Sequence, residues 1–249
     1  MFETIIELII VIPLAYLLSM HLIGPVLVKR SERLPESYRF TLIDEREFFS
    51  QRSETFIMLD YEMRTLGFEY VGSSVLGNTN TDSFFSLYTK ADEALAAMLT
   101  TMVSPLGDFS YAEFTRLYED GSSLEVNNAP ISPLFPRRAH KVQLRYPEIN
   151  TLSGLYETTQ KLIATLPDSA TPKPLPRGAE FAEVESILNR EVEWLVDQGY
   201  YSRQALDGFH PVTLKGAILF SWKSLWPWQQ LRQRLDVRRS QRLLTINSV

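Results

Sequence analysis

The chain has no cysteine. Disulfides, thiolate metal sites and a cysteine nucleophile are therefore excluded. Histidine is nearly as scarce. His21, His140 and His210 are the only three, and they are too far apart in sequence to read as a metal cluster. The short patterns that carry hydrolytic, metalloprotease, dinucleotide or phosphate-loop chemistry are missing too. Gly72 and Gly77 have the gap of a phosphate loop, but Asn78-Thr79 stands where Lys-Ser/Thr would contact phosphate and metal. The sequence thus nominates no catalytic residue and no metal ligand, and it calls for no cofactor.

What is present is unevenly placed. The net charge of −5 hides a basic end on an acidic body. Residues 29–213 carry 18 Lys/Arg against 27 Asp/Glu, whereas residues 214–249 carry seven Lys/Arg against Asp236 alone. From Leu8 to Val28, 21 residues pass without a charge. As a helix that run would extend roughly 30 Å, the thickness of a bilayer core. The expectation is an uncleaved transmembrane helix over 1–28, with Leu8, Ile12, Leu17, Leu22 and Val28 along the span. Glu3 and Glu7 precede it, and Lys29, Arg30 and Arg33 follow it. Basic flanks stay cytoplasmic, so the N-terminus is expected outside and the body in the cytoplasm, at the inner membrane. His21 lies inside the apolar run, where a packing role is favoured over proton transfer.

After a connector at 29–44, the chain reads as an α+β domain over 45–166. A helix is expected over 45–66, closed by Gly67. Five β-like runs follow: 68–74, 83–90, 96–103, 109–118 and 124–128. Turn signals separate them, including Gly77-Asn78-Thr79-Asn80, Ser104-Pro105-Leu106-Gly107 and Asp120-Gly121. Short turns between consecutive strands imply an antiparallel meander. In the fourth run neither parity is cleanly polar, so both faces are expected to be covered. A helix over 148–166 comes next, then a proline-rich linker at 167–178. A helical C-terminal region spans 179–249, with a first helix at 179–198 ended by Gly199. The expected fold class is α+β: an N-terminal transmembrane helix, a meander of about five strands with flanking helices, and a basic C-terminal helix.

Three of the four tryptophans, Trp222, Trp226 and Trp228, fall within seven residues of the tail. Lys223, Arg232 and Arg234 stand among or just after them. Indole rings and basic side chains together suit a lipid headgroup layer. These six residues are the candidate membrane-interface set, with membrane lipid as partner. The competing reading makes the tryptophans core and the arginines a solvated helix face. A second basic group, Arg137, Arg138, His140, Lys141 and Arg145, is expected to pair with the protein's own acids.

Thr213-Leu214-Lys215-Gly216-Ala217, then Trp222, Leu225-Trp226-Pro227 and a basic helix, resembles the C-terminal end of a group of uncharacterised single-pass bacterial membrane proteins. The Asp120-Gly121-Ser122 turn with Leu124 and Asn127 resembles the same group. The resemblance implies a bacterial membrane protein and brings no activity. More loosely, Leu195–Tyr200, the turn at Asp207-Gly208 and Val212–Gly216 resemble the helix, wing and final helix of winged-helix proteins. Glu180, Glu183, Glu185, Glu191, Glu193 and Asp197 face Arg190 alone on the helix concerned, so nucleic acid would be repelled. The leading expectation is a membrane-anchored cytoplasmic interaction or accessory domain with a protein partner. The alternative is an enzyme acting on a lipid or envelope precursor, and a weaker one is a membrane-bound winged-helix-like regulator.

Overall fold

The structure is a computed structural model that describes the backbone of residues 2–77, 82–104, 107–165 and 170–246. The side chains of 2–10, 12–14, 77, 104, 107 and 246 lie outside the described residues. Glu3, Glu7, Leu8 and Ile12 are among these, and Asn78 to Asn80 and Pro105-Leu106 of the expected turns are outside altogether. In chain order the elements are α1 (Phe2–Ser31), β1 (Arg33–Pro35), β2 (Leu42–Ile43), α2 (Glu45–Ser50), α3 (Glu54–Thr65), β3 (Glu69–Gly77), β4 (Asp82–Lys90), β5 (Leu95–Ser104), β6 (Gly107–Tyr118) and β7 (Ser123–Asn127). Then come β8 (Lys141–Arg145), α4 (Leu152–Thr165), β9 (Pro172–Lys173), α5 (Glu180–Asp197), β10 (Phe209–Pro211), α6 (Leu214–Ser224) and α7 (Trp228–Ile246).

The chain is α+β, but the expected transmembrane span is corrected. Among the described residues, no helix is long and apolar enough to cross a membrane. The single-pass reading falls with it. Of the expected span residues, Leu17, Leu22 and Val28 lie on α1, and the described half of that helix works as a packing surface. Gly24 faces Ser221, where an added Cβ would meet the serine Cβ at 3.4 Å. His21 meets Trp222 edge-on at 5.7 Å, and Val28 packs on a small core. The run is broken by Ser19, His21, Gly24 and Pro25 before Lys29 and Arg30 close it. Apolar length alone did not register these interruptions.

Two compact units divide the chain. The first comprises Met1–Ser37, Pro133–Pro136 and Asn189–Arg232. Here α1 packs on α6, and β1 pairs antiparallel with β10. A hairpin precedes α6, bridged at Tyr201↔Val212 and Leu206↔Phe209. Its tip holds Asp207 and Gly208 at φ 53° and 78°, a left-handed pair that suits Asp-Gly. The core is Leu195, Tyr201, Val212 and Ala217, with Phe135 and Tyr200 against it. Glu32 accepts a hydrogen bond from the Tyr201 hydroxyl at 3.2 Å.

The second unit comprises Tyr38–Ser132, Arg137–Leu188 and Gln233–Val249. Its sheet runs in the order β2-β3-β4-β5-β6-β7-β8, and β9 also pairs with β6. The first six strands are antiparallel neighbours, while β7 and β8 run parallel. Pleating sends Ala112 and Phe114 to one face and Tyr111 and Glu113 to the other. The first face meets α2, α3 and α4 in a core that includes Phe48, Phe56, Met63, Leu99, Phe114, Val126 and Leu155. On the second face, Phe40 and Phe181 pack against Phe85. The expected helix over 45–66 is two helices, because Ser53 caps a fresh start by accepting from the Phe56 N–H at 3.3 Å.

Candidate functional sites

In the helical unit, the residues that the sequence singled out lie on α1, β1, α6, the link after α6 and the start of α7. Trp222 and Trp228 stack with ring centroids 6.4 Å apart and planes 9° from parallel. Despite that contact the three tail indoles remain open: Trp222 is 47% exposed, Trp226 56% and Trp228 46%. The large apolar side chains Leu18, Leu22, Ile23, Val26 and Leu27 of α1 are also exposed, as is Ile218 of α6. Exposed large residues this dense are unusual for a surface facing water alone. The basic residues Lys29 and Arg30 occupy the last turn of α1, and Lys223 that of α6. Arg33 opens β1, and Arg232 donates to the Pro133 carbonyl at 2.6 Å. His21 donates from Nδ1 to the Leu17 carbonyl at 2.7 Å, a packing arrangement within the helix.

The Lys-Gly-Ala motif serves the fold here. Thr213 caps α6 by accepting from the Gly216 N–H at 3.1 Å, and its hydroxyl also lies 2.7 Å from the Gly199 carbonyl. Lys215 reaches the Gln198 carbonyl at 2.6 Å and lies over the Tyr200 ring, 4.6 Å from its centroid. Ala217 is fully buried.

In the sheet unit, β6, β7 and β8 bring Tyr111, Glu113, Glu125, Asn127 and Lys141 to one face. Asn127 donates to Glu113 at 2.9 Å, and Lys141 pairs with Glu125 at 3.0 Å. Burial pushes the Tyr111 phenol up to about 12, and the Glu113 and Glu125 charges add to this against a hydrogen bond with Thr100. A cavity of about 90 Å³ adjoins the group, walled by Leu87, Met98 and Val184. Glu125 is thus paired with a base, while Glu113 is held by a neutral amide. The expected strands over 109–118 and 124–128 contain Glu113 and Glu125. The strand pleat turns them onto a covered face, where alternation along β6 was the available signal.

Three members of the second basic group, Arg137, Lys141 and Arg145, bond within the unit, while His140 is exposed. Arg145 donates to the carbonyls of Ala129 at 3.0 Å, Pro130 at 3.2 Å and Gln233 at 3.3 Å. Arg137 donates to Gln143 at 2.9 Å and lies 3.8 Å from Asp236. The Ser240 hydroxyl accepts from the Arg145 N–H at 2.9 Å, and the Tyr146 hydroxyl donates to the Ser240 carbonyl at 2.8 Å. These bonds fasten the C-terminal part of α7 beside β8. On the far side of that helix, Arg234, Arg238, Arg239 and Arg242 are exposed.

Among the described residues, no group of three or more His, Asp or Glu could hold a metal ion. The chain matches no family model, no curated protein and no solved structure.

Proposed function

We propose that the protein is an interaction or accessory protein whose helical unit lies on an anionic lipid surface rather than crossing it. The exposed indoles of Trp222, Trp226 and Trp228 carry this reading, with the basic residues Lys29, Arg30 and Lys223 in the same unit. Each half-open indole offers on the order of 100 Å² of apolar surface, worth about 2 kcal/mol when taken from water. Each nearby basic residue adds about 1 kcal/mol at an anionic headgroup layer. These magnitudes favour lipid as the occupant over an acidic protein surface, which would meet the bases but leave the indoles wet. The sheet-face group of Glu113, Glu125 and Tyr111 lends the enzyme reading less support, since each already has a hydrogen-bonding or ion-pair partner.

The test is co-sedimentation of the full chain with vesicles of phosphatidylcholine, with and without phosphatidylglycerol. Binding is expected to strengthen with the anionic lipid and to weaken with salt. Replacing Trp222, Trp226 and Trp228 together by alanine should lower partitioning by about tenfold or more. Equal partitioning of the two proteins refutes the proposal.

A further inference from the structure

The sheet unit contains a larger opening, independent of the lipid reading. It is a cleft of about 580 Å³ where the α2–α3 corner meets the β5–β6 end of the sheet, a volume that suits a small molecule. We propose that this cleft binds a small organic anion, a carboxylate or phosphate monoester bearing an apolar group, with Arg52 as its countercharge.

Arg52 lies in the link between the two helices and lines the cleft. Its guanidinium carbon stands 3.8 Å from the Phe84 ring centroid and 4.9 Å from that of Phe48. Two aromatic rings therefore fix the orientation of the guanidinium, which is the preorganisation a bidentate anion contact requires. Arg64 of the same unit differs, since Glu45 and Asp60 hold it at 2.7 and 3.0 Å. Arg52 has no carboxylate within ion-pair reach among the described residues, and its Nε is buried without an acceptor. Burial pushes its guanidinium pKa down, but an arginine stays charged through such a change. An Nε–H buried without an acceptor costs stability, and a bound anion would relieve that cost.

The remaining walls define the ligand's other end. Thr101 and Ser110 place a hydroxyl pair, 2.7 Å apart, on the sheet floor. Thr55, in the first turn of α3, adds a third hydroxyl at the opening. Leu59 and Leu152 supply an aliphatic wall. The sole carboxylate among the described lining residues, Asp108, is exposed. A guanidinium and hydroxyls beside an aliphatic wall match an anion with an apolar substituent better than a bare inorganic ion.

Calorimetric titration of the full chain with phenyl phosphate, benzoate and inorganic phosphate tests this. Saturable binding of at least one organic probe is expected, with inorganic phosphate about tenfold weaker or more. Arg52→Gln should cost about tenfold or more in affinity, as loss of a charge-assisted contact does. Because Arg52 also packs on Phe48, Thr55→Glu provides a second variant. An acid in the first turn of a helix suits its dipole, so the thermal midpoint should hold while the new carboxylate neutralises Arg52 and anion affinity falls about tenfold. Failure of both organic probes to saturate overturns the proposal, as does unchanged affinity in Thr55→Glu. Inorganic phosphate binding as tightly as phenyl phosphate overturns the apolar half of the assignment.

Discussion

Gly216→Ala sets two opposed effects against each other at one atom. Gly216 sits in the first turns of α6, where alanine should stabilise the helix by about 1 kcal/mol over glycine. The added Cβ would stand 2.1 Å from the Tyr200 carbonyl oxygen and 2.7 Å from a methyl of Val212. The first contact is with backbone and cannot be relieved by a rotamer. Relief requires α6 to move away from Tyr200. That movement strains the Thr213 N–H bond to the Tyr200 carbonyl at 2.9 Å and the Thr213 hydroxyl bond to Gly199 at 2.7 Å. Two weakened hydrogen bonds cost about 1 kcal/mol each, and overpacking a tight contact costs about 1–3 kcal/mol more. Subtracting the helix gain leaves a net loss of about 2–4 kcal/mol, or roughly 4–16 °C in melting temperature for a chain of this size. Gly24→Ala is the matched control. Its Cβ would meet Ser221 at 3.4 Å, ordinary contact, so the helix gain should prevail and the variant should melt at or above the parent. Thermal denaturation followed by circular dichroism reads both. A Gly216→Ala variant as stable as the parent would refute the close approach of α6 to the Tyr200 segment.

Glu32 gives a pH prediction. Burial raises its carboxyl above the usual value of 4.5, with the Tyr201 hydrogen bond opposing. The raised folded-state pKa means that the protonated form favours folding. That contribution is full below the unfolded value and is lost as pH rises through the folded one. Glu32→Gln should therefore raise the melting temperature at pH 7 and flatten its dependence on pH above about 4.5; an unchanged pH profile counts against burial of this group. Ser240→Ala removes the acceptor for the Arg145 N–H and should cost about 1–2 kcal/mol. Hydrogen exchange at Arg145 should quicken markedly, and an unaltered rate would mean that the serine is not its acceptor.

Much of the sheet was legible because local signals set it. The five consecutive strands β3 to β7 lie where β-like runs alternate with turn residues. Gly121 at φ 79° and the Asp120 carboxylate accepting from the Ser122 N–H at 2.9 Å form the turn that Asp-Gly announces. Gly67 and Gly199, both at positive φ, end their helices as glycine does. The parallel strand β8 was not legible. Lys141, Gln143 and Arg145 alternate with Val142 and Leu144, but so short a run with three polar residues reads first as a charged patch. What makes it a strand is its register with β7, from Ser123↔Lys141 to Asn127↔Arg145, and pairing across a loop leaves no local trace. Gly216 was noticed only as part of a motif, because the carbonyl that demands glycine belongs to Tyr200. The cleft at Arg52 was missed for the same reason. Its walls come from α3, β5, β6 and α4, and only the fold brings them together. The supposed membrane span failed differently. Composition gave its length, but nothing local showed that Gly24 faces Ser221 on α6.

The pairing of α1 with α6 also sets an order of events during synthesis. α1 ends at Ser31, and α6 begins only at Leu214. At about 5–20 residues per second, the apolar helix waits roughly 10–40 s for the partner against which Gly24 and His21 pack. The helical unit also needs Pro133–Pro136 and the stretch up to Arg232, so it cannot close on a nascent chain before that stretch has been made. Cutting the chain at residue 28 would remove the waiting helix and leave α6 permanently without its partner.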